Sequence, residues 1–230
     1  MRGLYPIVDA TLLAARHVDP VAFAQAVLAT RPAALQLRAK ELPPRDTLGL
    51  LRALAPLCHS QGVPLVANDR PDLALLAGCD WVHVGQTDMP VDRVRRIAPT
   101  LGVGVSTHTL AQLDAALALR PSYVAFGPVF DTSSKAHADP VVGLAAVREA
   151  AARAAVVGVP LVAIGGITLE RALSLAGLVD AVAVIGDLLP RDSSGDAMRD
   201  VSARAREIHA LFAAAPPHPA GQPRPGEATR

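Results

Sequence analysis

The chain has 230 residues, with 22 Lys plus Arg against 21 Asp plus Glu. A net charge of +1 offers no long-range pull on nucleic acid, so any cationic site must be local. Hydrophobic residues at 51% with only 3% aromatics exclude a disordered chain and suit small side chains packing helices on a buried parallel sheet.

Short apolar runs recur at residues 4–8, 33–37, 63–67, 81–84, 103–105, 123–126, 161–164 and 181–185. These predict eight strands. The amphipathic or Ala-rich segments between them predict helices, and strict alternation means parallel strands joined by crossovers. Eight such units at this length predict a single α/β domain over residues 1–212, a closed (β/α)8 or TIM barrel.

Local signals set the boundaries. Asp19-Pro20 supplies an N-cap and a first-turn proline, and Thr109 with Gln112 has capping-box spacing. Gly62, Gly78 and Gly177 stand where helices should stop, whereas Pro56 should kink or shorten the helix it lies in. Residues 213–230 are rich in Pro and Gly and have too few apolar groups to offset the entropy of ordering, which predicts a disordered tail. Met1 leads into a strand without a secretory signal, no apolar run is of membrane-spanning length, and Cys58 and Cys79 form no CxxC or Cys/His pattern. A cytoplasmic protein with reduced thiols is expected.

Polar residues follow the apolar runs at their C-terminal ends, the face on which barrel enzymes build their sites. After the second run comes Gln36-Leu37-Arg38-Ala39-Lys40, where strand alternation sends 36, 38 and 40 to one face. Asn68-Asp69-Arg70 follows the third run and His83-Val84-Gly85-Gln86-Thr87-Asp88 the fourth. Neighbouring strands would bring Asp69 and Asp88 to one ion, and Mg²⁺ commonly takes one or two protein carboxylates and completes its shell with water and phosphate oxygens. A helix N-cap and a turn residue are the plainer roles for the same two acids. His83 fits a packed core group as readily as a catalytic acid or base and is assigned no role, His108 reads as structural support, and Ser106 could donate to a phosphate or amine.

The loop after the sixth run, Gly127-Pro128-Val129-Phe130-Asp131-Thr132-Ser133-Ser134-Lys135, carries three hydroxyls and a cation suited to an anion under a lid. Ile164-Gly165-Gly166-Ile167 and Ile185-Gly186-Asp187 end the last two runs. Loops at these two places form the recurrent phosphate site of barrel enzymes, so the glycines suggest a monophosphate anchor.

In this order, the blocks from Gln36 to Ile167 resemble the thiamine-phosphate synthase family, with a likeness running from Leu4 to about Leu189. The resemblance implies an enzyme that joins an aminopyrimidine diphosphate to a thiazole phosphate and releases pyrophosphate. It implies that Gln36, Arg38, Lys40, Asn68, Ser106 and Lys135 bind the pyrimidine diphosphate and that Asp69 and Asp88 bind its Mg²⁺. Arg38, Lys40 and Lys135 would neutralise the leaving group, and Thr132, Ser134, Gly165, Gly166, Ile185 and Gly186 would hold the thiazole phosphate. The family usually has Thr where Ser134 stands, which keeps a hydroxyl, and Ser where Gly186 stands, which loses one and should loosen the grip on that phosphate.

Two other functions fit the sequence less well. A thiazole tautomerase-like paralogue would use His108 and has no need of paired acids. A non-catalytic sensor of thiamine phosphates would signal through the tail. Small-molecule substrates are expected, with no nucleic acid or membrane partner, and the sequence is compatible with a homo-oligomer.

Overall fold

The computed structural model describes residues 1–132, 139–191 and 196–214. Among them, eight parallel strands close a barrel in sequence order: β1 (Gly3–Asp9), β2 (Leu35–Arg38), β3 (Leu65–Asn68), β4 (Trp81–Val84), β5 (Gly102–Thr107), β6 (Tyr123–Phe126), β7 (Leu161–Ile164) and β8 (Ala181–Val184). Closure comes from the pairing of β1 with β8 in the register Gly3↔Ala181 to Pro6↔Val184. The predicted barrel is therefore present. The tail expected beyond residue 212 lies outside the described residues, apart from the end of the last helix.

The helices are α1 (Ala10–Ala14), α2 (Pro20–Leu28), α3 (Pro44–Ser60), α4 (Pro71–Ala77), α5 (Val91–Ile97), α6 (Leu110–Ala118), α7 (Gly143–Val157), α8 (Leu169–Ala172) and α9 (Ala197–Ala214). None of the described helices is long and apolar enough to cross a membrane. Asp19 caps α2 by accepting from the backbone N–H groups of Val21 and Ala22, with Pro20 in the first turn. Thr109 caps α6 through the N–H of Gln112, whose side chain accepts from the N–H of His108, one residue before the cap. Gly78 ends α4 in the left-handed conformation. Of the two outcomes expected at Pro56, an early end does not occur: α3 runs on to Ser60, with Pro56 and Arg52, four residues before it, both exposed.

Strand alternation sorts the apolar side chains into two cores. Leu4 and Val8 of β1 face outward into the layer between sheet and helices, with Leu35, Leu65 and Val124. Tyr5 and Ile7 face inward and fill the barrel with Val66, Tyr123, Val162 and Ala183. At the closed end of the barrel, Asp80 and Asp180 do the same work half a barrel apart. Each carboxylate accepts at 2.8 Å from the first backbone N–H of the preceding strand, that of Leu65 or of Leu161. Arg2 ties α9 to the barrel through the carbonyl of Phe212 at 2.8 Å.

Tyr123 occupies the middle of the interior because Gly104 on the adjacent strand has no side chain. A Cβ at Gly104 would stand 2.0 Å from the Tyr123 ring. Gly104→Ala should therefore lower stability by about 1–3 kcal/mol, the usual cost of overpacking a core. Thermal melting checks this, with a fall of several degrees as the expected result.

Candidate functional site

All eight strands point their C-terminal ends to one mouth, and the charged residues gather there. Asp9 ends β1, is fully buried, and accepts from the N–H of Leu12 at 3.1 Å as the cap of α1. Its other oxygen holds Arg38 of β2 at 2.5 Å. This bond fixes the guanidinium of Arg38, and a single carboxylate leaves most of its five donors for another anion. Gln36 is 2% exposed and donates from Nε2 to the hydroxyl of Tyr5 at 2.7 Å. β2 ends at Arg38, so strand alternation governs 36 and 38 but cannot place Lys40, which stands in the following turn. Lys40 reaches the site all the same, with its Nζ 3.1 Å from Asp69 Oδ2.

Asp69 adopts a left-handed backbone, φ 62°, a conformation that Asp tolerates better than most residues. Its N–H donates to the carbonyl of His83 at 2.8 Å, which binds the ends of β3 and β4 together. The chain then turns through Gly85, whose N–H donates to Asp88 Oδ2 at 2.7 Å and aims that carboxylate back. Asp69 and Asp88 consequently stand within hydrogen-bonding reach of each other. Burial and then the neighbouring Asp88 push the Asp69 carboxyl above the usual range, while Lys40 pulls it back. Two acids share one position beside one cation.

Lys40, Asn68 and Asp69 line a cavity of about 230 Å³. A larger one, about 400 Å³, is lined by Ser106, His108, Thr132, Gly165, Gly166, Ile185 and Gly186, and also by Arg16 and Arg171. Its glycine wall is sterically required. Gly165 and Gly166 have φ values of 99° and 63°, and a Cβ on Gly166 would lie 2.2 Å from the carbonyl oxygen of Asp131. Arg171 braces this turn by donating to the carbonyl of Gly166 at 2.7 Å, with its guanidinium 5.0 Å from the centroid of Phe130.

The structure thus brings Arg38, Lys40, Asn68, Asp69, Asp88 and Ser106 to the mouth region and Thr132, Gly165, Gly166, Ile185 and Gly186 to the cavity wall, while Gln36 is buried against Tyr5 in the barrel interior. Ser134 and Lys135 lie outside the described residues. His83 is a buried, hydrogen-bonded residue, and His108 Nδ1 lies 2.6 Å from the carbonyl oxygen of Gly127. Sequence reasoning passed over Asp9, Tyr5 and Tyr123. Asp9 carried the same signal as Asp69, an acid at the C-terminal end of an apolar run. The tyrosines read simply as members of such runs.

Residues 4–188 match the family model described as thiamine monophosphate synthase. The chain is 39% identical over 93% of its length to the thiamine-phosphate synthase of a Roseiflexus species, covering 80% of that protein. It is 40% identical over 92% of its length to the enzyme of the same name from Methanoculleus marisnigri, covering 96% of it. Among solved structures it is similar to thiamine phosphate pyrophosphorylase from Pyrococcus furiosus, with a TM-score of 0.78 and 28% identity over 92% of this chain and 95% of that one.

Because the folded state holds a proton on Asp69 more tightly than the unfolded chain does, this residue favours folding at low pH. Its contribution is lost as pH rises from about 4 through its raised value. Asp88→Asn removes the opposing charge and should flatten that decline. Melting temperatures of metal-free protein measured across this pH range check it, with the two curves expected to diverge as pH rises.

Proposed function

The chain belongs to the thiamine monophosphate synthase family, and from that premise we propose that it condenses an aminopyrimidine diphosphate with a thiazole phosphate to give thiamine phosphate and pyrophosphate. The observation that carries the reading is the Asp69–Asp88 pair beside Lys40, at the same barrel mouth as a glycine-walled cavity. Two carboxylates pressed together raise each other's energy, and a divalent cation between them removes the repulsion.

Among the described residues no three His, Cys, Asp or Glu side chains cluster to hold a metal. A pair is nonetheless enough for Mg²⁺, which leaves most of its octahedron to water and substrate phosphates. Asp69 and Asp88 would hold the ion, and when bound it would supply positive charge to the departing pyrophosphate.

The barrier in this reaction is charge separation, because the pyrimidine methylene becomes cationic while pyrophosphate leaves. Arg38, held in place by Asp9, and Lys40 would add fixed positive charge at the leaving group, and Lys135 would add a third cation. Asn68 would orient the diphosphate from the same small cavity as Lys40. Across the mouth, backbone N–H groups at Gly165, Gly166 and Gly186 with the Thr132 hydroxyl would anchor the thiazole phosphate, and Ser134 would supply a further hydroxyl. Anchoring by the phosphate presents the ring nitrogen to the carbon being uncovered and lowers the entropic part of the barrier. Charge and positioning then account for catalysis without a covalent enzyme intermediate.

The direct test mixes purified protein with both phosphorylated heterocycles, with and without Mg²⁺, and measures thiamine phosphate and pyrophosphate. Product in the presence of the ion is expected. Its absence under both conditions would remove the reading. Asp69→Ala or Asp88→Ala should each lower Mg²⁺-dependent turnover by roughly 100-fold or more with the circular dichroism spectrum unchanged, a loss of the size seen when one preorganised charge element is removed. Gly186→Ser restores a hydroxyl beside the phosphate anchor and should lower KM for the thiazole phosphate several-fold while leaving KM for the pyrimidine unchanged; steady-state kinetics with each substrate varied in turn decide it.

A further inference from the structure

A continuous hydrogen-bond chain crosses the barrel interior beneath the mouth. Gln36 Nε2 donates to the Tyr5 hydroxyl at 2.7 Å, and the Tyr5 and Tyr123 hydroxyls are 2.7 Å apart. The Tyr123 hydroxyl lies 2.8 Å from His83 Nδ1, and His83 Nε2 lies 2.7 Å from Ser106 Oγ. The rings are locked as well. Tyr5 meets Tyr123 edge to face at 5.7 Å between centroids, and the His83 ring stacks on Tyr123 at 5.6 Å.

With Gln36 as the donor to Tyr5, one consistent direction runs along this chain. Once Tyr5 accepts from Gln36, its single O–H proton goes to Tyr123, and the Tyr123 proton then goes to His83 Nδ1. His83 is thereby held in the tautomer with its proton on Nε2, which donates to Ser106 Oγ. Ser106 receives a hydrogen bond from below, so its own O–H is left to serve the large cavity it lines. At the other end Gln36 has given one of its two N–H groups to Tyr5, which orients the amide and leaves its carbonyl oxygen as an acceptor beside the second N–H. Burial pushes both phenols far above their usual range, so each retains the proton this direction requires.

We infer that Tyr5, Tyr123 and His83 are positioning residues that fix Gln36 as an acceptor and Ser106 as a donor, and so select an aminopyrimidine over its oxo counterpart. An aminopyrimidine offers an N–H donor on the exocyclic nitrogen and acceptors at the ring nitrogens. Replacing the amine by oxygen turns that donor into an acceptor and protonates the adjacent ring nitrogen, which inverts the pattern. A site built to satisfy one pattern leaves its own buried polar groups unpaired against the other, and discrimination of this kind is large. The inference rests on the reading of the chain as a synthase acting on an aminopyrimidine diphosphate.

The test compares kcat/KM for the 4-amino and 4-oxo pyrimidine diphosphates in the wild type and in Tyr123→Phe, which keeps the ring and deletes the hydroxyl linking Tyr5 to His83. The wild type should prefer the amine by at least about 100-fold. Tyr123→Phe should cut that preference by about 10-fold or more, with KM for the thiazole phosphate unchanged. If Tyr123→Phe does not fold, His83→Gln and His83→Leu give the same readout; the glutamine, which can keep an N–H toward Ser106, should retain more of the preference. An unchanged ratio, a parallel loss with all three substrates, or a wild-type preference for the oxo compound would overturn the inference. If the wild type forms no product, the synthase reading fails by itself, and the same amino-to-oxo ratio is then read calorimetrically from binding of the two diphosphates to wild type and variant.

Discussion

Closure of the sheet is the constraint on which the rest depends. When β1 pairs with β8 the sheet closes on itself, and no strand edge is left over. Parallel closure also delivers eight C-terminal strand ends to one rim, so residues far apart in sequence become neighbours without any loop having to reach across the molecule. Asp9 meets Arg38, and Lys40 meets Asp69, across adjacent strand ends. The opposite rim is held by Asp80 and Asp180, whose carboxylates close onto the strands before them.

On that rim the charges fall into two kinds. The Asp9–Arg38 pair is settled, a buried acid satisfied by a helix N-terminus and a guanidinium. The Asp69–Asp88 pair is not, because two acids crowd one cation and the carboxyl of Asp69 is driven upward by burial and by its neighbour. Such an arrangement costs stability in the free protein and returns it when positive charge arrives. The proposed Mg²⁺ and diphosphate fit that reading, since the cation would relieve the crowded acids and the anion would pair with Arg38 and Lys40.

The large cavity works by absence of side chains. Gly165 and Gly166 sit where any Cβ would collide with Pro128 or with the Asp131 carbonyl, so the backbone itself forms the wall. Gly186, just after β8, lines the same cavity and brings no hydroxyl to it. Beneath the mouth, Gly104 makes room for Tyr123, and that space allows one phenol to join four other polar side chains into a single hydrogen-bond chain.

Much of this was legible in the sequence, because strand periodicity, caps and glycine stops are local properties of the chain. The eight apolar runs and the Asp19 and Thr109 caps stand where they were expected, and the ordered polar blocks after the runs located the mouth. Pro56 and Lys40 show where local rules give out. A proline on the exposed face of α3 does not end the helix, and a side chain beyond the last strand residue is placed by its turn and its partner. Tyr5, Tyr123 and Asp9 were unreadable as a set, since their meaning comes from partners 118 and 29 residues away, Tyr123 with Tyr5 and Arg38 with Asp9. The amino-acid order by itself determined the fold, the rim and the kinds of chemistry found there. Only barrel closure decided which polar groups touch and which carboxyl is strained, because these depend on distances across the barrel that no local periodicity encodes.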